Sequence, residues 1–207
     1  MKQSEDIYNR IQQITPVSRE TMDNLICYHD LLIKWQTKIN LISPKTIPDI
    51  WERHFFDSAQ LFQLLSCKDK SIFDIGSGAG FPGLVLSMLG ASQINLFESD
   101  QRKCIFLSEV VRQTKTSAKI YNKRIERIPS MKEAAVVTSR ACASLDMLFD
   151  YAYPHLAPDG QCLFLKGRGA EEEISVAQRR WMFHVEHTPS ITDAEGCVLQ
   201  IKDLRPR

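Results

Sequence analysis

The sequence predicts an α/β fold: a mainly parallel sheet with a C-terminal antiparallel hairpin, preceded by an N-terminal helical cap. Three observations predict it. Short apolar runs alternate with helix-length segments between residues 71 and 166, the pattern of a parallel sheet covered on both faces. Ahead of them, residues 1–66 carry apolar positions three and four apart and read as helical. Behind them, W-M-F-H-V-E-H (181–187) and C-V-L-Q-I-K (197–202) follow one another with no helix between, as in a hairpin added to a sheet edge.

Composition sets the outer bounds. The chain has 207 residues, 43% apolar and 25% charged, which suits an ordinary globular protein of one sizeable domain. Residues 1–66 form the helical extension and 67–207 the sheet domain, and the two are expected to make one compact unit, a monomer. No run approaches 18 apolar residues, and the polar start MKQSEDIYNRIQQ lacks the apolar core of a signal peptide. The expected address is therefore the cytoplasm, with no membrane partner. Six cysteines (27, 67, 104, 142, 162 and 197) show no C-x-x-C pair, so reduced, buried thiols are expected rather than disulfides or a metal site. A net charge of +1 means that a nucleic-acid partner must be met by a local basic surface.

Each element has its own signal. Ser18 is a good N-cap for a helix whose face carries Met22, Leu25, Ile26, His29, Leu32 and Ile33, and which stops before Pro44. A second amphipathic helix is expected from 48 to 65, through Ile50, Trp51, His54, Phe55, Ser58, Leu61, Phe62 and Leu65. His54 on that helix is read as a hydrogen-bonded packing residue. Strands are expected at 71–75, 94–98, 118–122, 134–139 and 161–166, with helices over 82–89, 101–114 and 144–156. In the tail, His184 and His187 are three apart, which in a strand places them on opposite faces and argues against a shared metal.

The chemistry concentrates in I-F-D-I-G-S-G-A-G-F-P-G (72–83). Gly78, Gly80 and Gly83 satisfy the dinucleotide pattern G-x-G-x-x-G, while Asp74, Gly76, Gly78 and Gly80 make D-x-G-x-G-x-G. Glycines let the backbone approach a ligand, and Pro82 opens a helix whose free N–H groups face the cleft. Glu98, 20 residues past Gly78, is placed to receive ribose hydroxyls in either class of site. Asp74 tilts the choice, because its charge opposes a pyrophosphate and favours a cationic ligand. S-adenosylmethionine has a sulfonium and an ammonium, and no phosphate. A dehydrogenase also normally needs a substrate domain, for which little chain remains. The residues favour S-adenosylmethionine as cofactor, with a nicotinamide-dependent oxidoreductase as the alternative.

The ordered motifs add a family. The chain resembles the small-subunit (16S) ribosomal RNA guanine-N7 methyltransferases called RsmG, formerly glucose-inhibited division protein B. The likeness rests on N-L-I-S (40–43), R-H-F-F-D-S (53–58), D-I-G-S-G-A-G-F-P-G (74–83) and E-S-D-Q-R-K-C-I-F-L (98–107). It continues through K-R-I-E (123–126), S-R-A-C-A-S-L (139–145) and L-K-G-R (165–168). The resemblance implies a class I S-adenosylmethionine-dependent methyltransferase (Rossmann-like) sheet with a helical cap. It also implies that Gly76, Phe81, the backbone at Ile125 and Glu126, and Arg140 line the cofactor site. Asp74, Gly78 and Glu98 join them from the general methyltransferase pattern.

The implied reaction is methyl transfer to guanine N7 of small-subunit rRNA, either free or within a ribosomal subunit. N7 has a lone pair and no proton, so no general base is expected and catalysis rests on placement and electrostatics. Arg140 and Lys166 sit near strand C-termini, on the rim where open sheets bind ligands, and are assigned to guanine or phosphate positioning, with Arg168 beside them. Lys115, Lys119, Lys123, Arg124 and Arg127 form a second basic cluster, read as surface, and Arg205 and Arg207 carry no assignment. Cys142 follows the fourth strand but lacks the Pro-Cys setting of cytosine-C5 enzymes and is read as structural. The rival readings are a methyltransferase for another RNA base, a protein or a small molecule, and an inactive RNA-binding scaffold.

Overall fold

The computed structural model describes residues 2–140 and 143–207; Cys142 lies outside the described residues. Seven strands form one sheet: β1 (Ile72–Ile75), β2 (Ile94–Phe97), β3 (Ala118–Tyr121), β4 (Ala134–Arg140), β5 (Leu156–Lys166), β6 (Trp181–Pro189) and β7 (Cys197–Pro206). Their order is β3-β2-β1-β4-β5-β7-β6. The first five run parallel, and β7 pairs antiparallel with both β5 and β6. The tail is thus the expected hairpin, and its second strand is the one inserted beside β5. A doubly wound dinucleotide fold continues instead with a parallel sixth strand, so the reversed hairpin separates this sheet from the oxidoreductase alternative.

Strand alternation assigns the two faces. Ile72, Leu96, Val136 and Leu163 pack on one side with the N-terminal helices α1 (Lys2–Ile14) and α2 (Arg19–Gln36), and with α5 (Gly83–Met88) and α6 (Gln101–Thr114). Phe73, Ile75, Val137 and Phe164 pack on the other, against α7 (Leu145–Ala152), α8 (Ala170–Ala177) and Trp181. The first 66 residues therefore bury their apolar side in the same core as the sheet. Ser18 caps α2 by accepting from the Thr21 N–H at 3.0 Å, and Asp100 caps α6 through the Arg102 N–H at 2.8 Å.

Three elements depart from the sequence reading. Residues expected as one regular helix over 48–65 form a π-helical segment, Trp51–Phe56, then α3 (Asp57–Ala59) and α4 (Leu61–Leu64). The wider turn takes in an extra residue: Phe55 and Phe56 stay buried while Arg53, His54 and Asp57 reach a cavity. Strand β5 begins at Leu156, inside the expected 144–156 helix, because an irregular register beside β4 accommodates Pro158, Asp159 and Gly160. Helix α8 was not expected at all. Its signals were present in Glu171, Glu172 and Glu173 in the first turn and in buried Ala170, Ile174 and Ala177.

Gly83 fixes how closely α5 approaches the sheet. A Cβ there would lie 2.4 Å from Leu96 Cδ2 and 2.8 Å from Asp74 Oδ2, which agrees with a helix-packing glycine rather than a phosphate-binding one. Gly83→Ala is expected to overpack this contact and lower stability by about 1–3 kcal/mol, measured by urea denaturation.

Candidate active site

A cavity of about 670 Å³ opens where strands β1, β2, β4 and β5 end. It lies at the switch point between β1 and β4, the crevice in which open α/β sheets bind ligands. The loop after β1 (Gly76, Ser77, Gly78), Phe81 and Glu98 line it together with Arg140 and Lys166 at the strand ends. Arg53, His54 and Asp57 of the N-terminal region and Ser190, Asp193 and Gly196 of the β6–β7 turn complete its wall.

The glycine loop is held by the sheet it leaves. The N–H groups of Gly76 and Ser77 both donate to the Phe97 carbonyl, at 3.0 and 3.1 Å. Gly78 adopts φ +57°, a left-handed conformation that glycine tolerates, and its N–H donates to Glu98 Oε2 at 2.8 Å. The other carboxylate oxygen, Oε1, accepts from the Asp100 N–H at 2.7 Å. Glu98 is thereby fixed at the end of β2, where it lines the cavity through a carboxylate held at both oxygens. Loop backbone and a fixed acceptor fit the ribose and amino-acid ends of S-adenosylmethionine.

Asp74 plays a different part from the one expected. It shares a face with Ile72, so its side chain turns under α5 and is fully buried, outside the cavity wall. There it accepts from Thr138 Oγ1 at 3.1 Å and lies 3.4 Å from the Gly83 N–H. Burial raises its pKa to about 6, opposed by these hydrogen bonds. Asp74 thus supports the loop from below. Ile125 and Glu126 are not walls of the cavity either. They form a short 3-10 turn, Ile125–Arg127, in which Ile125 is buried in the same apolar cluster as Phe73, Phe97 and Phe164 and Glu126 is exposed.

Arg140 is the centre of the opposite wall. Its guanidinium lies 4.9 Å above the Phe81 ring. Nη1 donates to the Arg53 carbonyl at 2.9 Å and to His54 Nδ1 at 2.6 Å. Because Nδ1 accepts, Nε2 carries the proton and donates to Thr46 Oγ1 at 2.8 Å. The Thr46 hydroxyl in turn donates to the Ser43 carbonyl at 2.8 Å. Burial, with Arg140 and Arg53 adding to it, lowers the His54 pKa to about 3. The imidazole is neutral and both nitrogens are engaged, so His54 orients Arg140 and is not a general base.

Phe81 is in turn fixed by the cap helices. Tyr28 stacks on it at 5.1 Å and Phe55 meets it edge-on at 5.2 Å. The Tyr28 hydroxyl donates to the Ala79 carbonyl at 2.5 Å. Lys166 lines the cavity, but its ammonium is engaged: Nζ contacts Glu173 Oε2 and the Ala143 carbonyl, both at 2.7 Å, with the side chain 6% exposed. Glu173 also accepts from the Leu145 N–H at 2.6 Å. The lysine therefore secures the chain around residues 143–145 instead of offering a free cation for phosphate. Arg168 pairs with Glu195 on the surface.

The same geometry brings in residues that spacing did not single out. Arg53 pairs with Asp193 Oδ2 at 2.6 Å, and Asp57 accepts from Ser190 and Thr192, so the π-helical segment is tied to the hairpin turn. R-H-F-F-D-S contains two of these groups, Arg53 and Asp57, on either side of His54; only their convergence in space shows that they face one cavity.

A family model described as rRNA small subunit methyltransferase G matches residues 21–199. The chain belongs to that family. Its relatives include the ribosomal RNA small subunit methyltransferase G of Paramagnetospirillum magneticum, 52% identical over 188 residues and covering 91% of each chain. That of Parvibaculum lavamentivorans is 46% identical over 196 residues, 92% of this chain and 87% of the relative. Among solved structures, an S-adenosyl-L-methionine-dependent methyltransferase fold from Methanococcus maripaludis superposes with a TM-score of 0.59 at 14% identity, over 76% of this chain and 90% of that one. A TehB-like methyltransferase from Corynebacterium glutamicum gives 0.55 at 15% identity, over 72% and 87%. These neighbours share the class I methyltransferase fold. Among the described residues, family membership thus coincides with the expected sheet and hairpin, and no helix is long and apolar enough to cross a membrane.

The two shifted pKa values oppose each other. His54 is neutral when folded, so its contribution is present above the unfolded pKa near 6.5 and is lost as pH falls toward about 3. Asp74 holds its proton up to about 6 when folded, so its contribution is present below 3.8 and is lost as pH rises toward 6. Between these limits the slopes offset. Asp74→Asn removes one of them, and its stability is expected to fall with decreasing pH more steeply than wild type between pH 6 and 4, by about 1.4 kcal/mol per pH unit. Urea denaturation at three pH values reads this; parallel wild-type and variant curves would count against it.

Proposed function

We propose that the protein transfers the methyl group of S-adenosylmethionine to N7 of a guanine in small-subunit rRNA. The observation that carries the reading is the single cavity shared by two kinds of wall. Gly76, Gly78 and Glu98 form a backbone-and-carboxylate end suited to the cofactor, and Arg140 closes the other end as an oriented cation. Family membership supplies the rRNA as substrate class.

The bound cofactor supplies an electrophilic methyl on a positively charged sulfur. Guanine N7 brings a lone pair and no proton, so it would form the new bond to carbon without prior deprotonation as the carbon–sulfur bond breaks, leaving a neutral thioether and the positive charge on the base. This chain fits such a reaction in what its residues do. His54 has no free nitrogen with which to take a proton. Arg140 is held by the Arg53 carbonyl, His54 and the Phe81 face, so its remaining donors reach the cavity at a fixed place to meet a guanine O6 or a phosphate. Preorganised donors of this kind act without reorganising during the reaction. The base must enter exposed or flipped out of its stack.

Radiolabelled methyl transfer to small subunits from a strain lacking the enzyme tests this reading. The expected label lies in rRNA at a site cleaved as N7-methylguanine; label in protein or on another base contradicts it. In the same assay Arg140→Ala is expected to lower kcat/KM by about 100-fold or more.

A further inference from the structure

Three carboxylates line the cavity: Asp57, Glu98 and Asp193. Two have both oxygens engaged by the protein. Glu98 accepts from the Gly78 and Asp100 N–H groups, and Asp193 accepts from Arg53 and the Glu195 N–H. Asp57 differs. Its Oδ1 accepts from Gln60 Nε2 at 2.8 Å, Thr192 Oγ1 at 3.0 Å and Ser190 Oγ at 3.2 Å. No hydrogen bond within the described residues reaches Oδ2. Gln60 is itself fixed, accepting from the Ile191 N–H at 3.1 Å, so the carboxylate is anchored through one oxygen and presents the other.

An ionised carboxylate only accepts, so what it recognises must donate. Guanine carries two adjacent donors, N1–H and the 2-amino group, on its Watson–Crick edge. Adenine and cytosine place a bare ring nitrogen beside their amino group, and uracil flanks its single N–H with two carbonyls. N7 lies on the far, imidazole edge of guanine, so a base held by its Watson–Crick edge leaves N7 free to react. Flipped bases are read on that edge. Burial raises the Asp57 pKa, opposed by the Arg140 and Arg53 charges and by the hydrogen bonds from Thr192 and Ser190, and in its ionised form the carboxylate also opposes the positive charge that methylation places on the base.

We propose that Asp57 Oδ2 is the specificity-determining acceptor for the target guanine, taking a hydrogen bond from N1–H or the 2-amino group. The assignment rests on the guanine-N7 reading above and adds which side chain selects the base.

The test compares kcat/KM for small-subunit rRNA substrates carrying guanine, inosine or 2-aminopurine at the target position. Inosine lacks the 2-amino group, 2-aminopurine lacks N1–H, and both keep N7. Wild type is expected to lose about tenfold or more on at least one analogue. Asp57→Asn, nearly isosteric, is expected to bring that guanine-to-analogue ratio to within about twofold of unity, with S-adenosylhomocysteine affinity retained. Thr192→Val removes a bond at Oδ1 and a contact with Ser190 Oγ but none at Oδ2, and is expected to keep the wild-type ratio. Three results overturn the proposal: a wild type indifferent to both analogues, an Asp57→Asn variant with wild-type ratios, or a Thr192→Val variant that loses the ratio as fully. The first stands even if a variant fails to fold. A wild type that leaves guanine itself unmethylated overturns the N7 reading along with it.

Discussion

The arrangement of the site depends on one cation that the sheet delivers into a partly buried place. Arg140 ends β4, beside the switch point, and a guanidinium there needs partners for its donors. The structure finds them on another part of the chain: the Arg53 carbonyl and His54 Nδ1, with the Phe81 face beneath. That requirement joins the π-helical segment, the glycine loop and the sheet at one point. It also explains why the N-terminal helices are part of the same core, since Tyr28 and Phe55 hold Phe81 from below.

From that point the polar network spreads in two directions. Through His54 it continues to Thr46 and the Ser43 carbonyl, anchoring the segment before the π-helical turn. Through Arg53 and Asp57 it continues to the turn between β6 and β7. The hairpin is therefore a wall of the cavity as well as the sheet's edge. Two residues expected to meet ligands, Asp74 and Lys166, have gone into the support of this wall and the loop. Each is buried, and a buried charged or titratable group takes the nearest partners available.

Much of the fold was readable because strands and helices leave local signatures. The alternation from Ile72 to Lys166 placed five parallel strands, and Ser18 and Asp100 stand as caps where a polar side chain meets the first turn. What escaped was equally physical. The π-turn at Trp51–Phe56 keeps a periodicity close to that of a regular helix, so apolar spacing could not reveal it. Glu173, the partner of Lys166, sits on a helix whose short apolar stripe was easy to pass over.

The sequence by itself determined the fold class, the glycine loop with Glu98 at the next strand end, and the family to which the motifs belong. It could do so because glycine geometry, strand period and motif order are local properties of the chain. Only the tertiary structure decided that Asp74 lies beneath the loop, that Lys166 is paired, and that His54, Asp57 and Arg140 share one cavity. Those outcomes depend on which face a strand turns inward and on contacts between residues far apart in the chain, such as His54 with Arg140, 86 positions apart. Long-range pairing of that kind is set by packing, and no local spacing encodes it.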